Sequence, residues 1–209
     1  MQRHSFEAIR PGLHWDAVQL ICHQTLVRGF QKLGIFKSPN SPGSGSWNSE
    51  EAIIASGVSA AFFPHGVGHS LGMDVHDVPS ASKPLVNPTI QKGEELGHPD
   101  FYTYLRLRLP LEVGMVVVSG PLSSWSLWSG ASKSYVCGQT VEPGIYFSPH
   151  LLGPVRGSKH IDPEVLAKYE NVGGVRIEDV ITITKNGYDN FTTIRSDVEW
   201  LEGVSSGGL

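Results

Sequence analysis

The spacing of apolar residues predicts a long amphipathic helix near the start of the chain. Apolar side chains recur at three- and four-residue steps, Asp16 is a suitable capping residue, and Gly34 is suited to a helix end. We therefore expect a helix over 16–33. Residues 1–9 are also amphipathic but follow no capping residue, so the chain is expected to begin inside another helix.

Two shorter helices are predicted from their first residues. Ser49 precedes two glutamates, which supply a cap and an acidic first turn for a helix through Ala55. Asp162 is followed by a proline and a glutamate. This combination is typical of helix starts, because the first turn needs no donor from the proline and the acid lies at the positive end of the helix. We expect that helix over 163–170.

The strand predictions depend on β-branched and alternating positions. The run 174–184 is rich in both and predicts a strand, with a turn at 185–187 and a returning strand at 191–194. Residues 61–77 begin apolar and are then interrupted by three glycines, which indicates a strand, a tight loop and a second strand. Residues 204–209 contain mostly serine and glycine and predict a flexible tail.

Composition narrows the class of protein. The 209 residues suit a single domain, and 24 glycines and 14 prolines indicate many turns. A net charge of -4 without runs of lysine or arginine argues against nucleic acid and membrane surfaces as partners. Two cysteines, no signal sequence and no apolar segment long enough to span a bilayer predict a cytoplasmic protein.

Histidines mark the segment in which chemistry is expected. Three of the nine histidines, His65, His69 and His76, fall in the glycine-interrupted stretch. Glycines beside histidines indicate a loop where the backbone approaches another group closely, with His69 directed inward. Buried imidazoles need partners. From these residues alone, metal or substrate ligands and hydrogen-bonded core histidines are both open interpretations.

Acidic residues in two other segments have similar alternatives. Arg176 and Glu178 project from one face of the predicted strand. They are either an exposed charge pair, or Glu178 is a metal ligand that the arginine orients. Glu142 precedes a Pro-Gly turn, where it is a surface charge or a further ligand. No single segment decides between these interpretations.

Taken together, the three segments resemble a known family. The order His-Gly-x-Gly-His, Glu-Pro-Gly-x-Tyr and Gly-Val-Arg-Ile-Glu-Asp is similar to that of the pita-bread metallopeptidases, most closely the Xaa-Pro aminopeptidases and prolidases. The resemblance runs from the first helix to about Trp200. It implies an α+β fold, with a curved antiparallel sheet, helices on its convex face, and an incomplete N-terminal side.

The resemblance also implies a metal site. His69, Glu142 and Glu178 match the positions of metal ligands, with Glu178 bridging two divalent ions that are commonly manganese in the family. In that family a bridging water is the nucleophile, and the carboxylate at the Glu142 position helps to deprotonate it. Two cations lower the pKa of a shared water and polarise the peptide carbonyl, so no protein nucleophile is required.

Substrate contacts are implied by the same likeness. His65 and His76 match residues that line the substrate pocket and steady the scissile carbonyl and its tetrahedral intermediate. Arg176 matches a residue that supports the substrate or the bridging carboxylate. The implied substrates are peptides with proline in the second position, cleaved at the N-terminal Xaa-Pro bond.

The sequence departs from the family pattern in two places. The family takes two further aspartate ligands from a hairpin before the first helix, and no residue here matches them, so we expect one metal ion or none and weak or no activity. Residues 118–139 resemble nothing in the family and are expected to be an insertion in a partial catalytic domain over 1–203, with a translated intron as the hypothesis for its origin. Sequencing the transcript across this region tests the intron hypothesis.

Two other functions remain open from the sequence. A prolidase would act only on Xaa-Pro dipeptides, and a non-catalytic fragment or binding module would have no peptidase activity. An incomplete sheet edge would also leave unpaired backbone exposed, so a homodimer is a further expectation.

Overall fold

The computed structural model describes residues 1–72, 74–77, 97–115 and 138–207. Within this part of the chain, helices and antiparallel strands are mixed, as expected for an α+β protein. The helices are α1 (Gln2–Ala8), α2 (Trp15–Leu33), α3 (Glu50–Ala55), α4 (Pro149–Leu152), α5 (Pro163–Ala167) and α6 (Val198–Ser205). The strands are β1 (Ser70–Leu71), β2 (Gly138–Val141), β3 (Gly144–Tyr146), β4 (Gly174–Arg176), β5 (Asp179–Thr184) and β6 (Gly187–Asn190).

The strands form two antiparallel sheets in the described part of the chain. One sheet has four strands in the order β1-β2-β5-β6, and the other pairs β3 with β4. The two sheets share one register, because the connection from β2 to β3 runs beside the connection from β4 to β5. Val141 pairs with Asp179 in the first sheet, and Gly144 pairs with Arg176 in the second.

Helix α2 provides one wall of the hydrophobic core. Its apolar stripe includes Trp15, Val18, Cys22, Leu26 and Phe30, each at most 3% exposed. Burial of each such side chain stabilises the fold by about 1.5–3 kcal/mol. The amphipathic pattern therefore favours the helix and determines which of its faces packs against the core. The stripe packs among the aromatic rings of the core, which include Phe36, Phe62 and Phe147.

The predicted helix boundaries are mostly confirmed, with two corrections. Gly34 ends α2 in the left-handed conformation at φ 80°, and Ser49 and Asp162 cap α3 and α5. The cap of α2 is His14 rather than Asp16, because the His14 ring accepts a hydrogen bond from the Asp16 N–H. The helix predicted over 163–170 ends at Ala167.

The strand predictions need larger corrections. The run 174–184 is divided into β4 and β5, since its two halves pair with different strands. The hairpin turn at 185–187 is confirmed, but its tight geometry pairs Thr184 with Gly187, so the returning strand is Gly187–Asn190 rather than 191–194. Two strands are predicted in 61–77, and among the described residues of that range one is found, Ser70–Leu71.

Two further sequence predictions concern the ends of segments. The last helix includes Val204 and Ser205, the first residues of the predicted tail, because Asp197 caps a helical turn that continues through them. Residues 118–137 of the predicted insertion lie outside the described residues, whereas Gly138 and Gln139 begin β2.

No helix in the described ranges is both long and apolar enough to cross a membrane. The cytoplasmic location stays a prediction.

Candidate metal centre

The histidine loop, residues 65–69, lies against strand β2 without forming a regular strand itself. The Thr140 N–H donates to the His69 carbonyl at 2.9 Å, and the Glu142 N–H donates to the Val67 carbonyl at 2.6 Å. Gly68 has to be glycine in this arrangement, because a Cβ there would lie 1.7 Å from the Thr140 carbonyl oxygen. The glycine therefore allows the loop to bring His69 beside β2.

His69 and Glu142 form the central pair of the site. The His69 Nε2 lies 3.2 Å from the Glu142 Oε1, and the two side chains are only 8 and 10% exposed. The sequence left open whether Glu142 is a surface charge before a turn, and its burial removes that interpretation. The Nδ1–H of His69 donates to the Ser70 carbonyl at 2.9 Å, so Nε2 is directed at the carboxylate.

Thr140 orients both members of the pair. Its hydroxyl accepts a hydrogen bond from the His69 backbone N–H at 2.9 Å and donates to the Glu142 Oε1 at 3.0 Å. Thr140 lies on β2 and Glu142 directly follows the end of that strand, so the alternation of side chains, continued by one residue, directs both to the same face. That alternation is the signal by which sequence reasoning could have found Thr140, which it missed.

Electrostatic interactions shift the pKa values of both members of the pair toward their charged forms. Burial lowers the pKa of the His69 imidazole, but hydrogen bonds to Glu142 and to the Ser70 carbonyl raise it by more, so it lies above its ordinary value. Burial raises the pKa of the Glu142 carboxyl, but His69, Thr140 and Arg176 lower it by more. The site therefore favours a positive charge between the Nε2 and the carboxylate oxygen.

His65 lies at the side of the pair and bonds to Tyr146. Its Nδ1–H donates to the Gly66 carbonyl at 2.8 Å, so its Nε2 accepts from the Tyr146 hydroxyl at 3.0 Å. Burial raises the pKa of that phenol. Tyr146 belongs to the quoted motif, but the sequence alone did not assign it a role.

Five of the six predicted site residues line one cavity of about 260 Å³. The five are His65, His69, His76, Glu142 and Arg176, and Tyr104 and Arg106 also line the cavity. The ring centroids of His69 and His76 are 4.3 Å apart. Burial and the nearby charges of His69 and Arg106 lower the pKa of His76.

Arg176 reaches the pair from strand β4. Its Nη1 lies 3.4 Å from the Glu142 Oε2, while Oε1 faces His69, so each carboxylate oxygen has a cationic or polar neighbour. The arginine is 48% exposed, and an ion pair with that exposure contributes at most about 1 kcal/mol. Arg176 therefore acts mainly by orienting Glu142 and adds little to the stability of the fold.

Glu178 stands opposite Glu142 but is not part of the buried pair. The shared register of the two sheets places Glu142 across from Glu178 at the point where one sheet passes into the other. Its charge contributes to the raised pKa of His69. The Glu178 side chain is exposed, and the described residues contain no group of three His, Cys, Asp or Glu side chains close enough to hold a metal ion.

The chemistry of the pair fits one divalent cation. Because the Nδ1–H of His69 donates to Ser70, loss of the Nε2 proton would leave a lone pair facing the carboxylate 3.2 Å away, and a divalent cation could then take the place of that proton. Ligand atoms about 2.1 Å from a common ion lie about 3–3.4 Å apart. An imidazole and a carboxylate at this separation are suitable ligands for a divalent metal ion.

The fold and this site define a class, the metallopeptidases with a pita-bread fold. The sequence matches Metallopeptidase family M24 over residues 1–185. The chain therefore belongs to the M24 metallopeptidases.

Relatives of the chain are named as aminopeptidases. A probable Xaa-Pro aminopeptidase of Aspergillus clavatus is 36% identical over 210 residues, covering 99% of this chain and 36% of that protein. One of Paracoccidioides lutzii is 38% identical, covering 99% of this chain and 36% of that protein. The chain thus spans about a third of the length of these relatives.

Solved structures support the assignment of the fold. Proline aminopeptidase P II of Yersinia pestis has a TM-score of 0.57 and 26% identity, covering 98% of this chain and 32% of that one. Zinc-substituted aminopeptidase P of Escherichia coli, in complex with product, has a TM-score of 0.59 and 25% identity over 100% of this chain and 32% of its own. The pita-bread fold predicted from the motifs is confirmed.

Proposed function

We propose that this chain supplies a metal-binding and substrate-binding part of an Xaa-Pro aminopeptidase. The observation that carries the proposal is the buried His69–Glu142 pair, with its atoms 3.2 Å apart, inside a cavity that His65, His76 and Arg176 also line. Family membership and the names of the relatives support peptide hydrolysis as the reaction.

His69, Glu142 and Glu178 are the proposed ligands, and manganese is the proposed ion. Glu178 is exposed and stands across from Glu142, so a change of its side-chain rotamer is the step that would add it to the pair. A bound divalent ion would supply a Lewis acid for the scissile carbonyl and an activated water as nucleophile. With three candidate ligands, we propose one ion held by this chain and slow turnover.

The other side chains are proposed to act on the substrate. His65, held by the Tyr146 hydroxyl, lines the cavity and keeps Tyr146 in place, and His76 borders the cavity beside His69, where it can donate a hydrogen bond to the carbonyl oxygen as negative charge develops. Arg176 supports Glu142 from the other side. Glu142 accepts the proton that the nucleophile loses, as a carboxylate whose pKa is kept low until that step.

The proposed substrates are peptides with proline in the second position. The names of the relatives favour release of an N-terminal residue from longer peptides over a dipeptidase. Comparison of Ala-Pro with Ala-Pro-Gly separates these functions: an aminopeptidase cleaves the tripeptide, whereas a prolidase cleaves only the dipeptide.

A peptidase assay tests the proposal. We expect the chain to cleave Ala-Pro-Gly slowly and only with added manganese, because the developing charge needs the cation. Glu142→Gln should reduce the rate by at least about 100-fold, since it removes both a ligand and the proton acceptor. Ala-Ala-Gly is the control substrate. Equal cleavage of both peptides, or an undiminished rate in Glu142→Gln, would contradict the proposal.

A further inference from the structure

We propose that Gln19 is a positioning residue that holds the histidine loop and, through Val67, the backbone of Glu142. The inference rests on the proposed function for its consequence, the alignment of a metal ligand. Gln19 lies on α2, outside the cavity that contains the site, and its side chain is fully buried. Sequence reasoning assigned it no role.

The amide of Gln19 bonds to the loop through both of its polar atoms. Its Oε1 accepts from the Val67 N–H at 2.6 Å, and its Nε2 donates to the His65 carbonyl at 3.1 Å. The side chain therefore bridges the two peptide groups on either side of Gly66. This part of the loop belongs to no helix or strand, and the Gln19 side chain makes the hydrogen bonds that a neighbouring strand would otherwise make.

The orientation of the Gln19 amide is fixed by its surroundings. The Val67 N–H is a donor, so the atom facing it has to be the amide oxygen. The second Nε2 proton then points to His23 Nε2 at 3.3 Å, which makes that nitrogen an acceptor. The His23 Nδ1–H donates in turn to the Ser59 hydroxyl at 3.0 Å. Burial lowers the pKa of His23 to about 3, in agreement with a neutral ring.

Val67 transmits this restraint to Glu142. Its N–H is held by Gln19, and its carbonyl oxygen accepts from the Glu142 N–H at 2.6 Å. One residue thus connects a buried helix side chain to the backbone of the proposed ligand. Val67 itself is 0% exposed, so neither bond can be replaced by bulk water without opening the loop.

The alternative is that Gln19 only satisfies polar groups in the core. In that case its loss would lower the stability of the whole fold without a particular effect on the loop. A positioning role predicts a local effect instead: the Val67 and Glu142 amides should open more often than their neighbours, and the site should bind metal less tightly. Hydrogen exchange resolved by residue separates the two.

The test compares Gln19→Met with a matched control. Methionine has a similar length and removes the amide, and Gln24→Met makes the same exchange at a half-buried position on the same helix. We expect the Val67 and Glu142 amides to exchange at least about tenfold faster in Gln19→Met than in Gln24→Met, because a buried N–H loses its acceptor. Gln19→Glu keeps an acceptor for Val67 and should restore part of the protection.

A manganese titration of the same proteins gives the second readout. The dissociation constant should rise about tenfold in Gln19→Met and remain unchanged in Gln24→Met. Equal exchange at Val67 and Glu142 in the two variants, or a uniform increase over all amides, would overturn the proposal. If Gln19→Met does not fold, Gln19→Glu is compared with Gln24→Met instead: faster exchange confined to the Val67 and Glu142 amides supports the proposal, and unchanged or uniformly faster exchange overturns it.

The two proposals fail in different ways. If the wild-type chain binds no manganese, the proposed function is wrong, while the exchange rates still decide whether Gln19 holds the loop. If manganese binds but Gln19→Met affects neither its affinity nor the loop, only the positioning role is wrong.

Discussion

At the scale of single residues, the site is built from side chains whose partners determine their charge. His69 is paired with a carboxylate and favours a positive charge, whereas His23 is buried among Gln19, Ser59 and an aromatic ring and stays neutral. The His23 ring stacks on Phe101 with centroids 3.7 Å apart. The surroundings thus shift the pKa values of two histidines of one chain in opposite directions.

The neutral state of His23 predicts a dependence of stability on pH. Its pKa in the folded protein is about 3 and its unfolded value is 6.5, so between these values the unfolded state binds the extra proton. Stability should therefore fall as pH decreases below about 6.5, by about 2 kcal/mol from this group at pH 5.

Urea unfolding of the wild type and of His23→Gln from pH 7 to pH 5 measures this contribution. Glutamine does not titrate in this range, so the variant should lose less stability over the interval. Other histidines, including His69, are common to both proteins and cancel in the difference. Identical slopes for the two proteins would show that His23 is not held neutral.

At the scale of elements, a buried ion pair fixes the segment that borders the cavity. The Arg108 guanidinium donates from Nε to both oxygens of Asp16 at 3.2 Å and from Nη2 to Oδ2 at 2.7 Å. Arg108 also lies 4.9 Å over the Tyr102 ring. Because Tyr104 and Arg106 line the cavity, this pair anchors their segment to the first turn of α2.

Removal of one partner should cost more than removal of both. Arg108→Met leaves the Asp16 carboxylate, which is 6% exposed, without its cation, and should lower the free energy of unfolding by about 3 kcal/mol. The double variant Asp16→Asn with Arg108→Met should recover part of this loss. Chemical denaturation of the single and double variants provides the cycle, and additive losses would contradict the coupling.

Elements with local signals were predictable, and elements set by pairing were not. The end of α2 at Gly34 and the start of α5 at Asp162 depend on residues within one turn, which the sequence displays. The division of 174–184 depends on two different partner strands far away in the chain. The histidine loop similarly takes its shape from Gln19 and β2, partners that no local pattern reveals.

At the scale of the molecule, the register between strands brings the motifs together. The three quoted motifs are far apart in sequence, yet five of the predicted site residues line one cavity. The motifs predicted this set because the family resemblance contains information about long-range pairing. Thr140 was missed because the motifs, and not the face of the strand, were used to choose residues, whereas Tyr104 and Arg106 lie outside the described strands and reach the cavity through tertiary packing.

Convergence of His69, Glu142 and Glu178 on one divalent cation is the central claim. Calorimetric titration of the chain with manganese, beside Glu178→Gln and the exposed control Glu199→Gln, tests it most directly. Since Glu178 is exposed, its replacement should leave the fold intact. We expect one bound ion per wild-type chain, affinity reduced at least about tenfold in Glu178→Gln, and no change in Glu199→Gln. No binding by the wild type, or equal affinity in all three proteins, would contradict the account.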